Sequence, residues 1–345
     1  MQTFLILRKD GNERKQSIAK SSNDYLFLNE YLRMKQSKMS ACIFIDGEAG
    51  TTGLLIRDLL SMRSDLSFIS LGEAERKNDK ARKDALNSCD LAVLCLPNEA
   101  AQDAVNLINN PNVKVIDTST AHRVSPNWVY GFPEMTKGQI KLIKASKRVA
   151  NPGCFPTGAI SLARPLVENS ILPRSYPLVI NAVSGYSGGG KSLIKRFETE
   201  KDDAPPFFFY GTSLSHKHLP EMQQYIGLDN PPFFTPSVGK YMQGIIVQVP
   251  LFLSESLNTV ISPKKIHDVL SKHYEDSEFI TVNSLEITTP VPEIYPEKLN
   301  HSNMLEINVF ANKEETQCLL TATLDNLGKG ASRAAIQSME LMLDL

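Results

Sequence analysis

The chain has 345 residues, 42% hydrophobic and 22% charged, with a formal net charge of −1, which is long enough for two domains with separate cores. That balance supplies no basic stripe for a polyanion, and no run approaches the roughly 20 apolar residues that a membrane span needs. Neither nucleic acid nor a membrane is therefore expected as a partner, and a globular, cytoplasmic protein is.

In chain order, residues 1–40 combine a short apolar head with mixed charges and serines, and Asp10, Glu13, Asp24 and Glu30 argue against a transit peptide. They read as an N-terminal extension. From Ala41 the text alternates: "ACIFIDG" is a buried strand, "GTTGLLIRDLLSMR" a helix, "LSFISLG" a strand, "KARKDALNSC" a helix, "DLAVLCLP" a strand, "EAAQDAVNLIN" a helix and "VKVIDTS" a strand. Such alternation predicts an α/β fold with a parallel sheet covered on both faces. After Cys154 the runs "YPLVINAVSGYSG", "QGIIVQVPLFL", "FITVNSL", "MLEINVFANK" and "QCLLTATLDN" predict an antiparallel or mixed sheet in a second domain, and the tail "GKGASRAAIQSMELMLDL" returns to helix.

The first strand ends in "DGEAGTTG", which places Gly47, Gly50 and Gly53 at a strand-to-helix turn. Glycines there permit a tight turn and close backbone approach, and the helix start offers free N–H groups to a pyrophosphate. A dinucleotide is the expected ligand, bound by Gly47, Ala49, Gly50, Thr51, Thr52 and Gly53. The second strand runs into "GEAERKNDKAR", where Glu73 and Glu75 would suit the free ribose of NAD, whereas Arg76, Lys77 and Arg82 would suit the phosphate of NADP. The basic residues favour NADP, with Arg76 as a cofactor residue.

Five cysteines (Cys42, Cys89, Cys95, Cys154 and Cys318) are scattered, with no CxxC pair, as in reduced intracellular chains. Cys154 differs from the others, since "ANPGCFPTGAI" forces a turn and then continues as a helix. A helix start favours a thiolate, so Cys154 reads as a nucleophile. A reactive cysteine beside a nicotinamide implies covalent capture of an acyl group or aldehyde with hydride transfer, and that chemistry needs a proton carrier. "SLSHKHLPEM" supplies His216 and His218, with Glu221 close behind; either ring could face the cysteine. No metal is expected, because no third ligand stands near the two histidines.

"DGEAGTTG", "IDTSTAHR", "VYGFPE", "ANPGCFPTG", "NAVSGYSGGGK", "HKHLPEM" and "DNLGKGA" together resemble the N-acetyl-gamma-glutamyl-phosphate reductases of arginine biosynthesis, shorter type, from about Cys42 to the C-terminus. The resemblance implies a Rossmann-type domain over residues 41–152, completed by 327–345. It also implies an α+β catalytic and oligomerisation domain of the glyceraldehyde-3-phosphate dehydrogenase-like kind over 153–326, in a homodimer or homotetramer. The implied reaction is NADPH-dependent reduction of the small molecule N-acetyl-glutamyl 5-phosphate to the 5-semialdehyde. Cys154 would attack the acyl phosphate, His218, or else His216, would move the proton, and Arg123 would clamp phosphate or carboxylate. Ser184, Gly185, Ser187, Lys191 and Glu221 would line the substrate pocket, and Asn326 would lie near the nicotinamide amide. "STAHR" departs from the family's Ser-Ala-Asp-Phe-Arg and leaves His122 without a role. The alternatives are another acyl-phosphate reductase, such as aspartate-semialdehyde dehydrogenase, and a non-enzymatic nucleotide-binding redox sensor.

Overall fold

The computed structural model describes residues 40–253, 261–285 and 293–345, so the extension expected at 1–40 lies, Ser40 apart, outside the described residues. Ala41–Asp46 (β1) passes through the glycine turn into Thr51–Leu60 (α1) and on to Leu66–Ile69 (β2). Asp79–Ser88 (α2) is capped by the Asn78 side chain, which accepts from the Ala81 amide at 3.0 Å, and leads to Leu91–Leu94 (β3). Asn98–Leu107 (α3) then leads to Lys114–Asp117 (β4), and Val129–Tyr130 (β5), Gln139–Ala145 (α4) and Arg148–Ala150 (β6) follow.

These strands form one parallel six-stranded sheet in the order β2-β1-β3-β4-β6-β5. Alternate residues of β1 feed opposite cores: Ile43 and Ile45 pack with Ile56 and Val93, while Phe44 packs with Leu86, Leu94 and Ala101. The chain steps outward from β1 to β2 and returns on the other side as β3. Strand order thus reverses between β1 and β3, which opens a crevice at their carboxyl ends, the usual place for a ligand in such sheets.

β6 runs through Asn151–Gly153 directly into Cys154–Glu168 (α5), an almost wholly buried helix of the second domain. Val179–Gly185 (β7), Gly190–Glu200 (α6), Phe207–Phe209 (β8), Leu219–Ile226 (α7), Phe233–Gly239 (β9), Ile245–Phe252 (β10), Pro263–His273 (α8), Ile280–Val282 (β11), Leu305–Ala311 (β12) and Gln317–Leu324 (β13) complete that domain. Its seven strands lie in the order β11-β12-β13-β10-β7-β9-β8, a mixed sheet in which β7/β9 and β11/β12 are the parallel pairs. α5 covers it through Ala159, Ile160 and Leu162, packed with Val247, Val249 and Leu324.

A wide turn over Gly328–Ser332 sends the chain back, and Arg333–Leu343 (α9) packs Ala335, Met339 and Met342 against Ile43 and Leu60 of the first domain. Cys154 therefore sits where the parallel sheet ends and the second core begins. Among the described residues no helix is long and apolar enough to cross a membrane.

Candidate active site

Asp46 and Gly47 at the end of β1 and Cys95 to Pro97 just past β3 flank a crevice of about 580 Å³. Gly47 has φ +86°, and a methyl there would run into the Cys95 carbonyl, so the turn needs glycine. Gly50 precedes α1 with no side-chain cap, which leaves the first-turn amides of Thr51, Thr52 and Gly53 for a ligand. Gly47, Ala49 and Gly50 line the crevice, Thr51 lines an adjoining cavity of about 370 Å³, and Thr52 and Gly53 contribute through the helix start. Arg76, Lys77 and Arg82 line the far wall. Arg76 Nε donates to the Leu71 carbonyl at 3.2 Å, and Arg82 pairs with Asp46 at 2.9 Å. The Glu75 carboxylate turns away to accept from the Gly72 amide at 3.0 Å. Bare amides on one side and guanidinium groups on the other fit a dinucleotide.

Cys154 is the first residue of α5 and is partly buried. Three side chains converge on the residue before it: a methyl built on Gly153 would lie 2.5 Å from Arg123 Nη1, 2.8 Å from Glu221 Oε1 and 2.9 Å from His218 Nε2. Glu221, on α7 and 2% exposed, organises the cluster. Its Oε1 accepts from Arg123 Nη1 at 2.6 Å, and its Oε2 accepts from the Tyr130 hydroxyl at 2.8 Å and the Gly153 amide at 3.1 Å. The Glu221 carboxylate is thus engaged by the protein itself. Burial, with Glu221 next, holds the Tyr130 phenol well above its usual range, so it stays a donor.

The two histidines separate by environment. His216 accepts the His218 amide on Nδ1 at 3.1 Å, and its Nε2 faces the Tyr210 hydroxyl at 3.5 Å. Burial, then Lys217, pulls its pKa down to about 4. The ring of His218 presents Nε2 toward Gly153, while its buried Nδ1 has no partner. Burial first, then Arg123, His216 and Lys217, keeps this ring well below the usual imidazole value, hence neutral. Among the described residues no group of three or more His, Cys, Asp or Glu is placed to hold a metal. Burial raises the Cys154 thiol, and the opposing pull of Arg123, the Phe155 amide and Lys217 does not overcome it. The helix start is thus one influence on this sulfur beside the burial of its surroundings.

The glycine-rich loop is pinned from the catalytic side. Asn326 donates from Nδ2 to Ser187 Oγ at 2.9 Å and accepts the Gly244 amide at 2.7 Å, so its amide is spent on this loop. The Ser187 amide reaches the Met242 carbonyl at 3.0 Å, Gly185 packs against Met242, and the buried Ser184 hydroxyl donates to the Gly185 carbonyl at 3.1 Å. Lys191 points the other way, its ammonium donating to the Ala49 carbonyl in the glycine turn.

The family described as semialdehyde dehydrogenase, NAD binding domain, matches residues 56–143, and the one described as semialdehyde dehydrogenase, dimerisation domain, matches 154–326. A Brucella suis protein named N-acetyl-gamma-glutamyl-phosphate reductase is 51% identical over 309 residues, 88% of this chain and 99% of that protein. One of the same name from Burkholderia lata is 48% identical over 302 residues, 87% and 96% of the two chains. The chain belongs to the N-acetyl-gamma-glutamyl-phosphate reductase family.

The fold of this reductase-family chain is also that of aspartate-semialdehyde dehydrogenases. The Vibrio cholerae enzyme II, solved with ASA, aligns with TM-score 0.66 at 15% identity over 88% of this chain and 98% of its own. The Candida albicans enzyme, solved with NADP, aligns with TM-score 0.61 at 13% identity over 88% and 98%.

Several residues of the site were not singled out from sequence. Tyr130 and Tyr225 stack at 3.8 Å; Tyr130 holds Glu221, and Tyr225 donates to the Arg123 carbonyl at 2.6 Å. His122, left without a role, lies 2.7 Å from the buried Asp117 carboxylate and stacks on Trp128 at 4.1 Å, bracing the backbone that delivers Arg123. The "STAHR" spelling carried that signal, an imidazole five residues after a strand-end aspartate.

Proposed function

We propose that this chain reduces N-acetyl-L-glutamyl 5-phosphate to N-acetyl-L-glutamate 5-semialdehyde, with NADPH as reductant and inorganic phosphate released. The observation that carries the reading is the convergence of Arg123, Glu221 and His218 on Gly153, next to a cysteine at the carboxyl end of a dinucleotide-type sheet. His218 takes the Cys154 proton as the sulfur attacks the acyl carbon. The carbon–oxygen bond to phosphate then breaks, which leaves a thioester on Cys154. The Arg123 Nε, buried and without a partner, suits an anionic oxygen of the substrate. The crevice lined by Gly47, Ala49 and Gly50 would hold the nicotinamide cofactor, which would supply the hydride needed to bring the thioester carbon to the aldehyde level. His218, protonated in the first step, gives that proton to the oxygen as the carbon is reduced, takes it back as the carbon–sulfur bond breaks, and returns it to the departing sulfur.

NADP rather than NAD is supported by Arg76, Lys77 and Arg82 on the crevice wall and by the diversion of Glu75 to its own turn. A homo-oligomer is supported by the match to a dimerisation domain and by an apolar patch on the seven-stranded sheet, where Phe252 is 61% and Leu319 37% exposed. The test is phosphate-dependent reduction of NADP with N-acetyl-glutamate 5-semialdehyde, compared with aspartate semialdehyde. A preference for the aspartate compound would overturn the substrate assignment.

A further inference from the structure

We propose that Lys191, carried by the catalytic domain, is a ligand for the pyrophosphate of the dinucleotide. The inference rests on the reading of the crevice as a dinucleotide site. Lys191 is the second residue of α6, and its ammonium crosses to the first domain to bond the Ala49 carbonyl. Ala49 is one residue before Gly50, whose helix offers the bare amides on which a phosphate would rest. An amine held at that carbonyl stands beside any anion seated on those amides. For an ammonium donor a neutral carbonyl is a weaker acceptor than a phosphate oxygen, whose negative charge adds a direct attraction. The exchange is therefore downhill once a dinucleotide is present.

The placement of Lys191 separates it from the reacting carbon. It lines the 580 Å³ crevice with Asp46, Gly47 and Arg76, and the adjoining 370 Å³ cavity with Thr51 and Gln243. Arg123, His218 and Glu221 instead converge on Gly153. The root of the loop is fixed by Asn326 to Ser187 and by the Ser187 amide to Met242.

The experiment is direct binding of NADPH and of NADH to the full chain by fluorescence and calorimetry, for wild type, Lys191→Met and Lys191→Arg. Thermal melts check folding, and the KM for N-acetyl-glutamate 5-semialdehyde is read at saturating NADP. The pyrophosphate is common to both cofactors, so Lys191→Met should raise both dissociation constants by about tenfold and Lys191→Arg should recover most of the loss. The semialdehyde KM should stay within about twofold of wild type. Unchanged cofactor binding with a raised semialdehyde KM would make Lys191 a substrate ligand and overturn the proposal. A loss confined to NADPH would assign it to the ribose phosphate and overturn it as well. Failure of the wild-type chain to bind either cofactor would instead sink the dinucleotide reading beneath it.

Discussion

Replacing Glu221 by glutamine keeps the volume of the side chain and removes its charge. Glu221 and Arg123 are 2% and 8% exposed as side chains, with their charged atoms 2.6 Å apart. Removing one partner of such a buried pair costs about 3 to 5 kcal/mol, because the remaining charge stays uncompensated. Two further donors, the Tyr130 hydroxyl and the Gly153 amide, meet the same carboxylate, and a glutamine can offer them an oxygen only by turning its NH2 toward Arg123. Tyr130→Phe removes one donor to a charged acceptor and should cost about 1.5 to 3 kcal/mol. The two changes share a partner, so the double variant should lose less than their sum. Denaturant midpoints of the four proteins measure the stabilities, and iodoacetamide labelling of Cys154 reports whether the turn still presents the sulfur. If Glu221→Gln lies within about 1 kcal/mol of wild type and labels Cys154 at the wild-type rate, Glu221 does not anchor the nucleophile turn.

Because burial raises the Cys154 thiol and the thiolate is the reactive form, labelling of the free protein should keep accelerating above pH 8.5 or so; a plateau already reached by pH 7 would contradict that upward shift. Arg76→Met should weaken NADPH binding about tenfold and leave NADH nearly unchanged, and equal losses for both would remove Arg76 from the ribose phosphate. Phe252→Asp with Leu319→Asp should shift the chain to a smaller species in light scattering, since a charge pair on the apolar patch opposes burial there; an unchanged mass would place the interface elsewhere.

Strands β1 to β4 of the first domain were legible because local signals bound them. "DGEAGTTG" fixes the β1 turn, and Asn78 and Pro97 mark the starts of α2 and α3. Cys154 was legible for the same reason, since Asn-Pro-Gly announces a turn wherever it falls. β5 and β6 were not, with two and three residues respectively, too short for any periodicity. β9 was missed because Pro236 reads as a strand breaker. In the sheet it lies opposite Ala182, and its carbonyl accepts from the Tyr210 amide at 3.1 Å.

The site was half visible. Residue types with known chemistry, Cys154, His218 and Arg123, could be named from the text, but what each one touches depends on contacts between residues distant in the chain. Glu221 in "HLPEM" looks like a polar residue facing a substrate, and only the packing of α7 against Tyr130 and Gly153 turns it into an internal anchor. The thiol of Cys154 follows the same logic: its helix position was readable, but the burial that outweighs it comes from tertiary packing.

The most direct measurement mixes the chain with N-acetyl-glutamyl 5-phosphate in the absence of any nicotinamide and follows phosphate release and the mass of the Cys154 peptide together. A burst of phosphate matched in stoichiometry by an acyl adduct on Cys154, and lost in Cys154→Ser, is the result predicted. Phosphate released without an adduct, or an adduct on Cys42, Cys89, Cys95 or Cys318 instead, would contradict it.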